Sequence, residues 1–218
     1  MGYVDDLRQA NTTTWTAAVE HRFVTELFAG TLDDDRLAGY LVQDYQFCDA
    51  FVALLGAATL TAPDLATRLP YARQLGAFAG DENDYFTATF DELGVADADR
   101  RHPRLEPVTA DFIAVMNQAA QSRSYPQAIA VLVVAELLYR DWATSIPDWP
   151  TEPKHRGWIE VHNNPDFNAW VDWLVDQLDH HEPGDPGTRQ AVAETFARAV
   201  ELELAFFDAC YRTRTGGA

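Results

Sequence analysis

Three carboxylates stand where helical periodicity calls for apolar side chains. Stepping through residues 37–55 at three- and four-residue spacings gives Leu37, Tyr40, Leu41, Asp44, Phe47, Cys48, Phe51, Leu54 and Leu55, with Asp44 in mid-stripe. A second stripe runs Ile129, Leu132, Val133, Glu136, Tyr139 and Ala143; because 131–135 is apolar all round, the backbone at Glu136 is expected to be buried. Glu203 interrupts a third stripe of Phe196, Ala199, Val200, Phe206, Phe207 and Cys210. A carboxylate taken out of water without a partner is costly, so such residues pair with a base, bind a metal or line a wet pocket. For each acid alone a structural ion pair is the simpler account, with Arg140 and Arg198 as candidate bases. Three acids at the centres of three long helices point instead to a shared site.

Two chemistries compete for that site. A di-iron or di-manganese carboxylate centre uses Glu-x-x-His, which puts both ligands on one helix face. Here the third residue after Asp44, Glu136 and Glu203 is Phe47, Tyr139 and Phe206, so no metal is expected. The alternative is a pocket for a flat, amine-bearing heterocycle. Carboxylates would then accept ligand N–H bonds or move protons, between the aromatic faces of Phe47, Tyr139, Phe206 and Phe207.

The elements that position these residues are all helical. No stretch alternates at period two for long enough to form a sheet, so the chain is read as all-α. Helices are expected over 14–29, ended by Gly30, and over 33–60 from an Asp33 cap. Others are expected over 65–93 with an adjustment at Pro70, and over 107–121, 126–144, 165–178 and 188–211. Polar or Pro- and Gly-rich loops fill 95–106, 146–153 and 180–187.

Composition narrows the partners. The 218 residues, 47% of them hydrophobic, suffice for one core, so 1–218 is read as one domain. A formal charge of -18 with a single lysine, Lys154, would repel phosphate backbones and anionic membranes, which excludes nucleic acid and membrane as expected partners. Residues 1–14 hold neither a basic region nor an apolar run, which reads as a cytoplasmic protein. Cys48 and Cys210 are expected to be free, buried thiols.

The ordered motifs resemble the TenA/thiaminase II family, which has a heme-oxygenase-like all-helical fold. Its opening signature is similar to His21-Arg22-Phe23-Val24-Thr25-Glu26-Leu27, then Gly30-Thr31-Leu32 and Tyr40-Leu41-Val42-Gln43-Asp44-Tyr45. Glu201-Leu202-Glu203-Leu204-Ala205-Phe206-Phe207-Asp208 resembles its closing motif, with Phe207 where Trp is commoner. Many members carry a catalytic cysteine where this chain reads Val133-Val134-Ala135-Glu136-Leu137-Leu138-Tyr139. That segment, with Gly80-Asp81-Glu82-Asn83-Asp84-Tyr85-Phe86, resembles a cysteine-less subgroup with a glutamate in the neighbourhood.

The resemblance implies hydrolysis of an aminomethylpyrimidine, or its N-formyl derivative, to the hydroxymethylpyrimidine of thiamine salvage. Asp44 would anchor the pyrimidine amino group and ring nitrogen, and Glu203 would be the principal acid/base residue. Glu136 would replace the cysteine or activate water, and Tyr139 would orient Glu203 or the ring. Phe47, Phe112 and His162 fall at or near positions where relatives carry tyrosines. No cofactor is implied, and relatives suggest a homo-oligomer, tetramer or dimer.

Other readings start from the same residues. A different branch of the fold would be an oxidase or dimetal enzyme acting on another small heterocycle. A non-catalytic protein would use the acids only to bind a cationic metabolite. His21 invites comparison with an axial heme ligand, but a histidine at a helix entry is expected to be satisfied structurally. His180 and His181 lie in a charged loop and are expected to be solvated.

Overall fold

Side-chain caps and first-turn prolines cut the chain into thirteen α-helices in the computed structural model, which describes residues 2–212 and shows no strand among them. The N-terminal helices are α1 (Tyr3–Ala10), α2 (Thr12–Val19) and α3 (Arg22–Phe28), followed by α4 (Asp34–Asp44) and α5 (Phe47–Thr61). Next come α6 (Leu65–Ala77), a π-helical turn (Phe78–Glu82), α7 (Asn83–Glu92) and the short α8 (Asp97–Arg101). The remaining helices are α9 (Pro107–Gln121), α10 (Tyr125–Ala143), α11 (Pro153–His162), α12 (Pro165–His180) and α13 (Pro186–Ala209). Each of the last five carries a proline in its first turn, where a missing N–H costs nothing.

At the centre lies α10, packed against α5, α9, α12 and α13. Its residues 128–134 are all buried, so the apolar run 131–135 lies in the core except for Ala135, which opens to a cleft. Burying each such aliphatic side chain is worth about 1.5–3 kcal/mol. This apolar belt holds Glu136, one turn further on, in the interior.

The structure departs from the expected pattern in two helices that break and in three unexpected ones, α1, α8 within the 95–106 loop, and α11. The helix expected over 14–29 is two, α2 and α3, because Glu20 and His21 leave the spiral and His21 Nδ1 accepts the Phe23 N–H at 3.1 Å to cap α3. The helix expected over 33–60 breaks at Tyr45 and Gln46, and the Gln46 side chain donates to the carbonyls of Val42 (3.1 Å) and Arg100 (2.9 Å). Both breaks leave the apolar stripe in phase, so spacing alone does not reveal them. Unexpected are α1, with only Tyr3, Val4 and Leu7 buried, and α11, whose inward stripe is His155, Trp158, Ile159 and His162. Two histidines in apolar positions hid that stripe. No helix among the described residues is long and apolar enough to cross a membrane.

Candidate active site

Asp44 ends α4, Glu136 lies in α10 and Glu203 in α13, and all three open into one cleft of about 550 Å³ including its mouth. A fourth acid joins them: Glu82, the last residue of the π-helical turn. Phe47 and Phe51 from α5, Phe78 from the π turn, Phe112 and Met116 from α9, and Trp158 from α11 form its apolar walls. Tyr139, His162, Cys48 and Ala135 complete the lining, which among the described residues includes no lysine or arginine.

The acids differ in their partners. Tyr40 and Tyr139 share a hydroxyl–hydroxyl bond of 2.8 Å, and Tyr139 Oη donates to Asp44 Oδ1 at 3.5 Å. Burial pushes the Asp44 carboxyl up to about 8 against the pull of that bond. Trp170 Nε1 donates to Glu136 Oε1 at 2.8 Å, and burial holds Glu136 at about 7 even so. Glu203, 2% exposed, has no hydrogen-bond partner among the described residues; burial and then the Asp44 charge push it well above the carboxylate range. Glu82 also lacks a partner there, and burial of its carboxyl, then the charges of Glu136 and Asp44, raise it in the same way. Four acids facing one space without a base cannot all ionise at neutral pH, so they hold protons and titrate as a coupled group.

His162 adds a polar group of another kind. Its Nδ1–H donates to the Trp158 carbonyl at 2.9 Å, which leaves Nε2 as an acceptor. Burial lowers its basicity to about 4, so the ring is neutral at physiological pH. Packing against Trp158 (centroids 4.4 Å) and Tyr139 (4.8 Å) fixes its orientation.

Seven of the nine residues singled out in the sequence thus meet at the cleft: Asp44, Glu136, Glu203, Tyr139, Phe47, Phe112 and His162. Phe206 and Phe207 do not. One turn beyond Glu203 they face the core, where Phe206 packs behind Phe47 (4.9 Å) and Phe207 stacks on Phe23 (5.2 Å). Tyr139 bonds Asp44 rather than Glu203. Arg140 and Arg198 pair with surface acids, Asp172 in one case and Asp111 and Glu201 in the other. His21 is a cap that also bonds Asp208 at 3.3 Å. Among the described residues no three of His, Cys, Asp and Glu are placed to hold a metal ion.

Two cleft residues with groups that could do chemistry, Glu82 and Cys48, are not among those nine. Glu82 sits four residues from both Phe78 and Phe86, the same interrupted-stripe signal that marks the other three acids. Its acidic neighbours Asp81 and Asp84 disguised it as surface. Cys48 lines the cleft, but burial and then the charges of Asp44 and Glu82 push its thiol up, so it is not a thiolate nucleophile. Cys210 lies outside the lining and donates to the Phe206 carbonyl; burial pushes it up to about 12.

Comparison with known proteins adds the chemical context. The family model described as TENA/THI-4/PQQC matches residues 8–213. The chain is 25% identical to an aminopyrimidine aminohydrolase of Halalkalibacterium halodurans, over 98% of this chain and 97% of that one. It is 22% identical to an aminopyrimidine aminohydrolase of Bacillus subtilis, over 97% and 91%. A TenA homologue from P. horikoshii superposes with a TM-score of 0.84 at 20% identity, over 97% of this chain and 99% of that one. A Shewanella denitrificans domain with a heme oxygenase-like fold superposes at 0.71 with 15% identity, over 95% and 91%.

Proposed function

The chain belongs to the TENA/THI-4/PQQC family, and on that premise we propose that its cleft hydrolyses the exocyclic C–N bond of an aminomethylpyrimidine or its N-formyl derivative. The product is the hydroxymethylpyrimidine of thiamine salvage. One observation carries the reading: Asp44, Glu136 and Glu203 converge on an aromatic-walled cleft without a thiolate. We place the chain in the cysteine-less, glutamate-type subgroup because Ala135 and Glu136 line the cleft where a catalytic cysteine is otherwise expected.

The reaction converts R–CH₂–NH₃⁺ and water to R–CH₂–OH and NH₄⁺. Asp44, steadied by Tyr139, accepts the N–H bonds of the aminopyrimidine edge, and Phe47 and Phe112 supply ring faces. Glu136 takes a proton from the attacking water as the C–O bond forms. The C–N electron pair goes to nitrogen, which leaves as ammonia, and Glu203 then supplies the proton that makes it ammonium. Paired acids displaced upward allow one to be protonated while the other is ionised.

Mass spectrometry of the purified protein incubated with aminomethylpyrimidine, its N-formyl derivative and thiamine tests this directly. Hydroxymethylpyrimidine is expected from the first or second and not from thiamine. Tight binding with no product after hours would replace the enzyme by a binder. A finer test uses Trp170, whose N–H favours ionised Glu136. In Trp170→Phe, Glu136 rises further above about 7, and the rising limb of the pH–rate profile moves up by about one unit. An unmoved limb would remove Glu136 as the base.

A further inference from the structure

We propose that Glu82 is a specificity-determining residue of this cleft: with Glu136 it holds the substrate's exocyclic nitrogen as an ammonium, selecting a charged aminomethyl group over a neutral substituent. The proposal rests on the aminohydrolase reading and adds a residue to it.

The first support is the backbone. The π-helical turn Phe78–Glu82 joins α6 to α7 in what is otherwise one helical run. Each residue inserted into an α-helix rotates the downstream segment by roughly 100°. The turn brings both Phe78 and Glu82 to the cleft, and Phe78 is braced there by the Phe51 ring at 5.5 Å.

The second support is the mismatch between acceptors and donors. Glu203, only 2% exposed, faces the cleft with no partner among the described residues, and Glu82 is equally unpartnered. His162 is fixed as an acceptor, and the Tyr139 hydroxyl is already engaged with Tyr40 and Asp44. Among the described residues no lysine or arginine lines the cleft. Carboxyls that hold protons for want of a base are complemented by a cation, which lets them ionise as it enters.

The third support is the order of the acids. Glu136 exerts the largest charge effect on Glu82, whereas Asp44 exerts it on Glu203. With the ring edge held at Asp44, Glu82 and Glu136 remain beside Glu203 for the exocyclic group. An amine enters there as a cation; a hydroxyl or formamide at the same carbon offers no such charge.

Steady-state kinetics on aminomethylpyrimidine, with calorimetric affinity for hydroxymethylpyrimidine, tests this in wild type and in Glu82→Gln. The variant is expected to raise KM for the amine by about ten- to a hundredfold, the scale of one charge-assisted hydrogen bond, with kcat and the affinity for the neutral alcohol within about threefold of wild type. Glu82→Asp, which keeps the charge, should recover most of the loss. Equal losses for amine and alcohol, an unchanged KM, or a loss confined to kcat would overturn the role of Glu82. A wild type that neither cleaves nor binds the amine would overturn the aminohydrolase reading, a separate result. Thermal unfolding checks both variants, and replacing an unpartnered acid by an amide should not lower the midpoint.

Discussion

Replacing Glu203 by glutamine is expected to lower kcat on aminomethylpyrimidine by about a hundred- to ten-thousandfold, the range that positioned acid/base groups contribute. The amide keeps the shape of the side chain and cannot exchange a proton with the leaving nitrogen. Because the carboxyl has no protein hydrogen bond to lose among the described residues, the fold should be unaffected. Burying an unpartnered acid is itself costly, so the variant should unfold at the wild-type temperature or above it at neutral pH. Turnover measured with circular dichroism melting separates the two effects. Full activity in Glu203→Gln would move the acid/base role elsewhere; a collapsed melting curve would show that Glu203 is structural.

Asp44→Asn should act on stability and activity in opposite directions. The Asp44 carboxyl rises from 3.8 in an open chain to about 8 in the folded protein. Between those values the native state keeps a proton that the unfolded state has released, so this residue's contribution to stability falls as pH rises. It is fully present below about pH 4 and lost by about pH 8. Asparagine does not titrate. The variant should therefore gain on wild type by about 1.4 kcal/mol for each pH unit crossed in that window, several kcal/mol in all. Over the same window kcat/KM should drop by about a hundredfold, because an amide cannot give up a proton to become the charged acceptor that binding of the pyrimidine edge draws out. Urea unfolding of both proteins at pH 5, 6, 7 and 8 reads the first effect. A stability difference that stays flat with pH would show that Asp44 is not held protonated.

Helical spacing revealed Asp44, Glu136 and Glu203 because each interrupts an apolar stripe, and one stripe fixes one face. It could not say how far a face reaches. Phe206 and Phe207 share the Glu203 face yet belong to the core, because the cleft ends within one turn of α13. Glu82 obeyed the same rule and was concealed by the acids beside it, while α11 was concealed by two buried histidines that read as polar. The bond from Tyr139 to Asp44 joins α10 to α4 across 95 positions, and no local pattern encodes it. Motif resemblance placed both residues in a pocket but set the tyrosine to orient Glu203 or the ring, not Asp44.

The hydroxyls behind Asp44 also determine where its protons come from. Tyr139 donates to Asp44 and so must accept from Tyr40, whose own hydroxyl lies in the core with no further partner among the described residues. That relay is a dead end, offering no route from Asp44 through the interior to bulk water. Among the described residues, the mouth of the cleft is then the way in for protons at this end. Once a ligand fills the mouth, acids and ligand form a closed system, and a turnover must redistribute the protons that were inside when it closed.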